Sequence, residues 1–216
     1  MIANTESSHL SFLKGLDEYK QGLNGSAPSW LTTLRSRALE QFSRTGIPTV
    51  KDEEWKYTNF TSLAKREFSF ARKGELKEQD AFRQYCHSDE INVVLVNGIF
   101  QPQLSNVQKL PKGVTVLTIR QAVQSHETQL REFLGKHETD AGTPFIALNT
   151  ALMGDGVFIK IDDKTIFEQL IHIVHVASGE ANIVSAPRTL IVVGKSAEAT
   201  VMESHIAFDK TLVYFT

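Results

Sequence analysis

The sequence predicts an α+β protein in two unlike parts: an N-terminal α-rich domain with a small β element over residues 1–145, then the opening coils of an all-β solenoid over residues 146–216. Three observations carry this expectation. Apolar residues recur at threes and fours near the N-terminus, the mark of amphipathic helices. After Gly156 that spacing vanishes and short β-rich runs follow one another, with turns every ~8–12 residues. The pattern then reaches Phe215 without a polar cap, which predicts an unfinished stack with an open β edge.

From Ser7 to Gly22, the residues Leu10, Phe12, Leu13, Leu16 and Tyr19 fall mostly on one stripe, predicting a helix that Gly22 ends. Ala27-Pro28-Ser29 opens a second helix through Trp30, Leu31, Leu34, Ala38, Leu39 and Phe42, closed by Gly46 and Pro48. The two are expected to pack as a hairpin. Acidic residues ahead of Trp55 predict a short helical turn, and residues 75–87 a further short helix. Residues 91–96 form a β-rich run followed by the hairpin signal Asn97-Gly98, and 114–119 supply another strand. Helical spacing returns over 122–134 and 145–153. Six strands are predicted beyond Gly156, over 157–161, 170–176, 181–184, 189–193, 199–206 and 212–215. Their spacing admits a sandwich, a barrel or a β-helix; the doubly apolar run Leu190-Ile191-Val192-Val193 leans toward the solenoid.

Composition excludes several functions. With 41% hydrophobic residues in 216, the chain buries a real core, and 23 Lys+Arg against 25 Asp+Glu leave no basic footprint for nucleic acid. No apolar run approaches the roughly 20 residues that span a bilayer, and the N-terminus lacks a signal-peptide pattern, so a cytoplasmic protein is expected. The lone Cys86 supports neither a disulfide nor a multi-cysteine metal centre.

The candidate chemistry is thin. His172 and His175 are the most tempting metal pair, but residues three apart on a strand point to opposite faces; His205 could join one of them only through a register that sequence does not give. Cys86-His87 are neighbours that do not face each other on a helix. Gly194-Lys195-Ser196 imitates the end of a P-loop but lacks its leading glycine, since Thr189 occupies that place. Gly154-Asp155-Gly156 fits a helix stop better than a dinucleotide fingerprint, and Asp162-Asp163 a solvated turn. A sugar-acting β-helix enzyme would need a convergent carboxylate pair, which Asp162, Asp163 and Glu168 do not evidently make. A cupin-like metal-binding module would draw on His172, His175, Glu203 and His205.

Two stretches resemble a known family. GIPTVKDEEWKYTN (46–59), with Pro48, Glu54, Trp55 and Tyr57, is similar to an N-terminal segment of the SufB/SufD family of iron–sulfur cluster assembly proteins, and favours its SufD branch. FIALNTALMGDGVFI (145–159), with Asn149, Asp155 and Gly156, and PRTLIVVG (187–194), with Pro187 and Arg188, resemble segments that both branches share. The resemblance implies a right-handed parallel β-helix, here truncated, and a non-catalytic scaffold working with SufB and SufC. It also implies that the SufC-docking segment and the cluster ligands lie beyond Thr216. It therefore assigns no catalytic, cofactor or metal role to any residue of this chain, and the Fe–S cluster is expected only in the full complex.

Overall fold

A computed structural model describes residues 10–71, 74, 76, 82–136, 144–179, 182–208 and 214–215. The chain opens with a two-residue strand β1 (Leu13–Lys14), helix α1 (Leu16–Asn24) and the long helix α2 (Ser29–Thr45). On α2 the residues Leu31, Arg35, Ala38 and Phe42 recur at helical spacing and are the buried ones. Gly46 ends the helix with φ 69°, its amide donating to Phe42 O at 2.7 Å; that left-handed conformation suits glycine. The main packing partner of α2 is not α1, as the sequence suggested, but the distant helix α6 (Pro144–Leu152). α6 is apolar nearly all round, so it needs burial on several sides.

Between them lie a 3-10 turn (Glu53–Trp55), the short helix α3 (Thr61–Ala64) and strands β2 (Phe68–Phe70), β3 (Ile91–Val96) and β4 (Ile99–Phe100). Part of the helix expected over 75–87 lies outside the described residues, and of residues 82–87 only 82–83 are helical. Asn97 and Gly98 both take positive φ, 52° and 77°, as the predicted two-residue hairpin turn requires. Asn97 also clamps the turn onto the neighbouring strand, donating to Ser178 O at 2.7 Å and accepting from Ser178 N at 3.0 Å. Strand β5 (Val114–Thr118) leads into α4 (Ile119–Ser125), and α5 (Glu127–Phe133) follows. A capping box between Thr118 and Gln121 starts α4. The single helix predicted over 122–134 is broken at His126, whose φ of −133° is not helical.

The remaining strands are β6 (Gly156–Ile161), β7 (Ile166–Ala177), β8 (Ile183–Val184), β9 (Arg188–Val193), β10 (Glu198–Ala207) and β11 (Tyr214–Phe215). They form three sheets with the earlier strands, in the orders β1-β2-β8-β11, β10-β7-β3-β4 and β5-β6-β9. The principal core lies between the second and third sheets: Ile91, Val93 and Leu95 of β3 and Ile171 and Ile173 of β7 meet Val157, Ile159 and Ile161 of β6. On the outer face of the third sheet, Phe158 packs with Leu31, Ile119 and Leu130 from the helices.

This architecture corrects the expected fold class. An α-rich domain followed by truncated parallel β-helix coils is not what the described residues show: two of the three sheets are mixed, and no solenoid coil closes. β3 pairs parallel with β7 but antiparallel with β4, and β6 pairs parallel with β9 but antiparallel with β5. The physical reason lies in β3. Its sequence INVVLV is buried on both faces, so it cannot remain a small satellite element and takes the edge of β7 as partner. β5 does the same for β6, so strands from the first 145 residues complete all three sheets.

Candidate functional site

Three of the motif residues, Asn149, Asp155 and Arg188, tie helix and strand ends together. Asn149 Nδ2 on α6 donates to Pro187 O at 3.1 Å, and Arg188 Nη2 donates to Thr150 Oγ1. Asp155 accepts from Arg120 N at the start of α4, at 3.4 Å through Oδ1, while its carbonyl accepts from Arg188 N at 3.1 Å. Gly156 lies so close to Arg188 that an added Cβ would sit 2.1 Å from Arg188 O. Together these contacts dock α6, the β6 start and the β9 start into one junction. Pro48 is buried at the end of α2, whereas Glu54 and Tyr57 are exposed, Tyr57 at 92%. Trp55 makes edge contacts with Phe60 and Phe145 at ring separations of 5.2 and 5.6 Å, and the three rings wall an apolar cleft of about 410 Å³ beside Leu148 and Val184.

Burial holds the Asp155 carboxyl above the usual carboxylate range, against the opposing pull of the Gly156 and Arg120 amides and the Arg120 charge. A raised value means the fold favours the protonated form. The stability from this group is fully present below the unfolded-state value and is lost as pH rises through the folded one. Asp155→Asn keeps an oxygen for the amides without the charge. It should therefore raise the melting temperature at neutral pH, by a gain that fades as the buffer is taken into the acid range where wild type is itself protonated. An equal gain at every pH in thermal melts would contradict this account.

The other concentration of chemistry lies on the paired strands β7 and β10. His172 and His175 point to opposite faces, as their spacing requires. On the outer face His172 is satisfied at both nitrogens, Nδ1 with Glu90 Oε2 at 3.2 Å and Nε2 with Ser204 Oγ at 2.9 Å. On the core-facing side His175 stands directly opposite His205, their rings stacked at 4.6 Å and 7°. His175 Nε2 meets Glu203 Oε1 at 2.6 Å, and Thr189 Oγ1 of β9 donates to the same oxygen at 3.2 Å. His175 is 4% exposed, whereas Glu203 and His205 are open to solvent. Burial pushes the His175 imidazole below its ordinary value, opposed by the Glu203 hydrogen bond and charge and assisted by the neighbouring His205. The imidazole is thus neutral at physiological pH. One donor atom from each of His175, Glu203 and His205 lies within 4.8 Å of the others.

The remaining sequence candidates resolve into structure. The Cys86 thiol packs against the Phe82, Val94 and Val174 cluster, and burial pushes it up to about 11, so it is protonated rather than nucleophilic. Asp163 Oδ1 accepts from Lys195 N at 2.8 Å, so Asp162-Asp163 and Gly194-Lys195-Ser196 are two turns stacked on each other. Gly194 is required there because an added Cβ would lie 2.5 Å from Asp163 N. No helix among the described residues is long and apolar enough to cross a membrane.

The shared motif side chains Asn149, Asp155 and Arg188 thus fasten a junction of α6 with the β6 and β9 starts. The comparison with known proteins supplies the class: residues 6–173 match the family model described as the SufBD protein N-terminal region. The chain is 30% identical over 185 residues to an iron–sulfur cluster assembly SufBD family protein of Synechocystis, covering 85% of this chain and 41% of that one. It is 39% identical over 69 residues to the iron–sulfur cluster assembly protein SufD of Escherichia coli, covering 32% of this chain and 16% of that one. The chain thus spans less than half the length of these curated relatives, and it belongs to the SufBD family.

Proposed function

We propose that this chain is a non-catalytic scaffold portion of a Suf-type iron–sulfur cluster assembly complex, supporting SufB and SufC in building and passing on nascent clusters. The observation that carries this reading is the use of the motif residues. Asn149, Asp155, Gly156 and Arg188 hold α6, β6 and β9 together, and none is aimed with a base or nucleophile at a substrate cavity. Residues that serve a junction suit a protein whose product is a correctly shaped surface. The cluster is cargo of the assembled complex, the working partners are SufB and SufC, and the compartment is the cytoplasm.

Removing the coding region for these residues from a cell that relies on this assembly route should lower the activity of several iron–sulfur enzymes together and leave cluster-free enzymes unchanged. The purified, tag-free chain should neither hydrolyse ATP nor retain a SufC-type ATPase, because this reading assigns that docking to other residues. Unchanged iron–sulfur enzyme activity after the deletion, or ATP hydrolysis by the chain alone, would overturn the proposal.

A further inference from the structure

We propose that His175, Glu203 and His205 form a binding site for one divalent first-row transition cation of the zinc or ferrous class. The donor set is two imidazoles and one carboxylate, which suits borderline cations such as Zn(II), Fe(II) or Co(II) rather than the all-oxygen preference of Mg(II) and Ca(II). The three residues come from two adjacent strands in fixed register: His205 is paired with His175, and Glu203 lies two residues before His205 on the same face of β10.

That register depends on an irregularity. At the start of the ladder Glu198 pairs with Ile166, an offset of 198 − 166 = 32, whereas beyond Ala199 the pairing Thr200 with Leu170 gives 200 − 170 = 30. β7 accommodates Glu168 and Gln169 as extra residues. Were those two paired in the ladder rather than bulged out, His205 would stand opposite Ile173 instead of His175. Bulges often re-aim side chains at functional sites, and this one brings two imidazoles together at the edge of an apolar core where a Val or Ile would otherwise continue the row.

The side chains are arranged as one fixed ligand and two adjustable ones. His175 is buried and held by its neighbours, and its Nδ1 has no hydrogen-bond partner. A neutral imidazole keeps its single proton on whichever nitrogen is not coordinated, so the ring can ligate without losing a proton. Glu203 and His205 are exposed and able to rotate. Tetrahedral coordination with metal–nitrogen bonds of about 2.0–2.1 Å sets ligand atoms roughly 3.4 Å apart, a modest contraction from the present 4.8 Å limit. Solvent reaches the exposed side, so water completes the coordination. Thr189 Oγ1, which already donates to Glu203, orients the carboxylate in the manner of an outer-shell partner.

The proposal does not rest on the assembly role, because its readout is equilibrium binding. The tag-free full chain, stripped with chelator, is titrated with Co(II) by visible absorption and with Zn(II) by calorimetry. The expected result is saturation at one equivalent, with His205→Ala and Glu203→Gln each weakening binding roughly tenfold or more and His87→Ala leaving it unchanged. Zn(II) should raise the melting temperature of wild type by more than that of the two variants at the same concentration, and their metal-free melts should match wild type. Should a variant fail to fold, paramagnetic Co(II) perturbations in the wild-type amide spectrum decide: shifts centred on residues 175 and 203–205 support the site, and shifts centred elsewhere overturn it. Absence of saturable binding, or undiminished affinity in both folded variants, would equally overturn it.

Discussion

Gly156→Ala should be the most damaging single-methyl change in this protein, lowering stability by roughly 2–6 kcal/mol, from backbone strain and overpacking of about 1–3 kcal/mol each. Gly156 has φ 145°, a conformation that L side chains rarely adopt. Its missing Cβ would lie 2.1 Å from Arg188 O and 2.5 Å from Arg188 N, both backbone atoms. No rotamer relieves that clash. The backbone cannot retreat without breaking the Asp155 O to Arg188 N hydrogen bond, and with it the first rung of the β6–β9 ladder, where Gly156 pairs with Arg188. Gly22→Ala is the contrasting control. Gly22 lies within α1, with open space around the added methyl, and the change should be stabilising by about 0.5–1 kcal/mol. Denaturant melts of the two variants should move in opposite directions; a Gly156→Ala loss below about 1 kcal/mol would refute the close-approach argument.

The same glycine shows what sequence makes legible. Its place after Asp155 and its membership of a motif shared with Asn149 and Arg188 were visible, and the helix stop predicted there is real. That the motif is a backbone junction was not visible, because its partners are separated by more than thirty residues and meet only through the β6–β9 pairing. Local signals carried the Asn97-Gly98 hairpin, the Gly46 helix end and most strands, each being a consequence of nearby φ/ψ demands. The fold class failed for a non-local reason. β3 has the apolar composition of a doubly buried strand, and nothing within INVVLV states which edge will cover it.

The histidines make the same point about the candidate site. Strand periodicity correctly separated His172 from His175, and it correctly left His205 unplaced. What decides that His205 faces His175 is a two-residue slip at Glu168 and Gln169, in a stretch with no glycine or proline to announce it. A metal-ligand pattern assembled across strands has no fixed spacing in sequence, unlike one carried on a single helix, where residues four apart share a face. Glu203 stood among the sequence candidates, but its placement was equally hidden, since only the β7–β10 register sets its Oε1 against His175.

Arg35→Met should be the second most damaging change, costing about 3 kcal/mol and lowering the melting temperature by roughly 6–12 °C. Arg35 is a charged residue on the buried stripe of α2, only 6% exposed, at a position where periodicity predicts an apolar side chain. Its Nε and Nη2 both donate to Met153 O, at 3.0 and 2.7 Å, and Nη1 reaches Leu23 O at 3.2 Å and Asn24 Oδ1 at 3.3 Å. Met153 follows the last residue of α6, so the guanidinium sits at the negative end of that helix and satisfies a carbonyl the helix itself leaves open. Tyr19 completes the cap by donating to Leu152 O at 3.0 Å. Burial pushes the Tyr19 hydroxyl up to about 12, so it stays protonated and able to donate. Methionine fills similar volume but leaves the Met153 and Leu23 carbonyls without this donor in an enclosed place, each such loss being worth about 1–3 kcal/mol. Arg35→Lys keeps the charge but not the fork, so one amine cannot serve both α6 and the end of α1; roughly half the loss should remain. If Arg35→Lys proved as stable as wild type, the charge alone would explain the site. If Arg35→Met were neutral, the apolar stripe of α2 would need no polar anchor, and the docking of α2 on α6 would rest on Leu31, Ala38 and Phe42 alone.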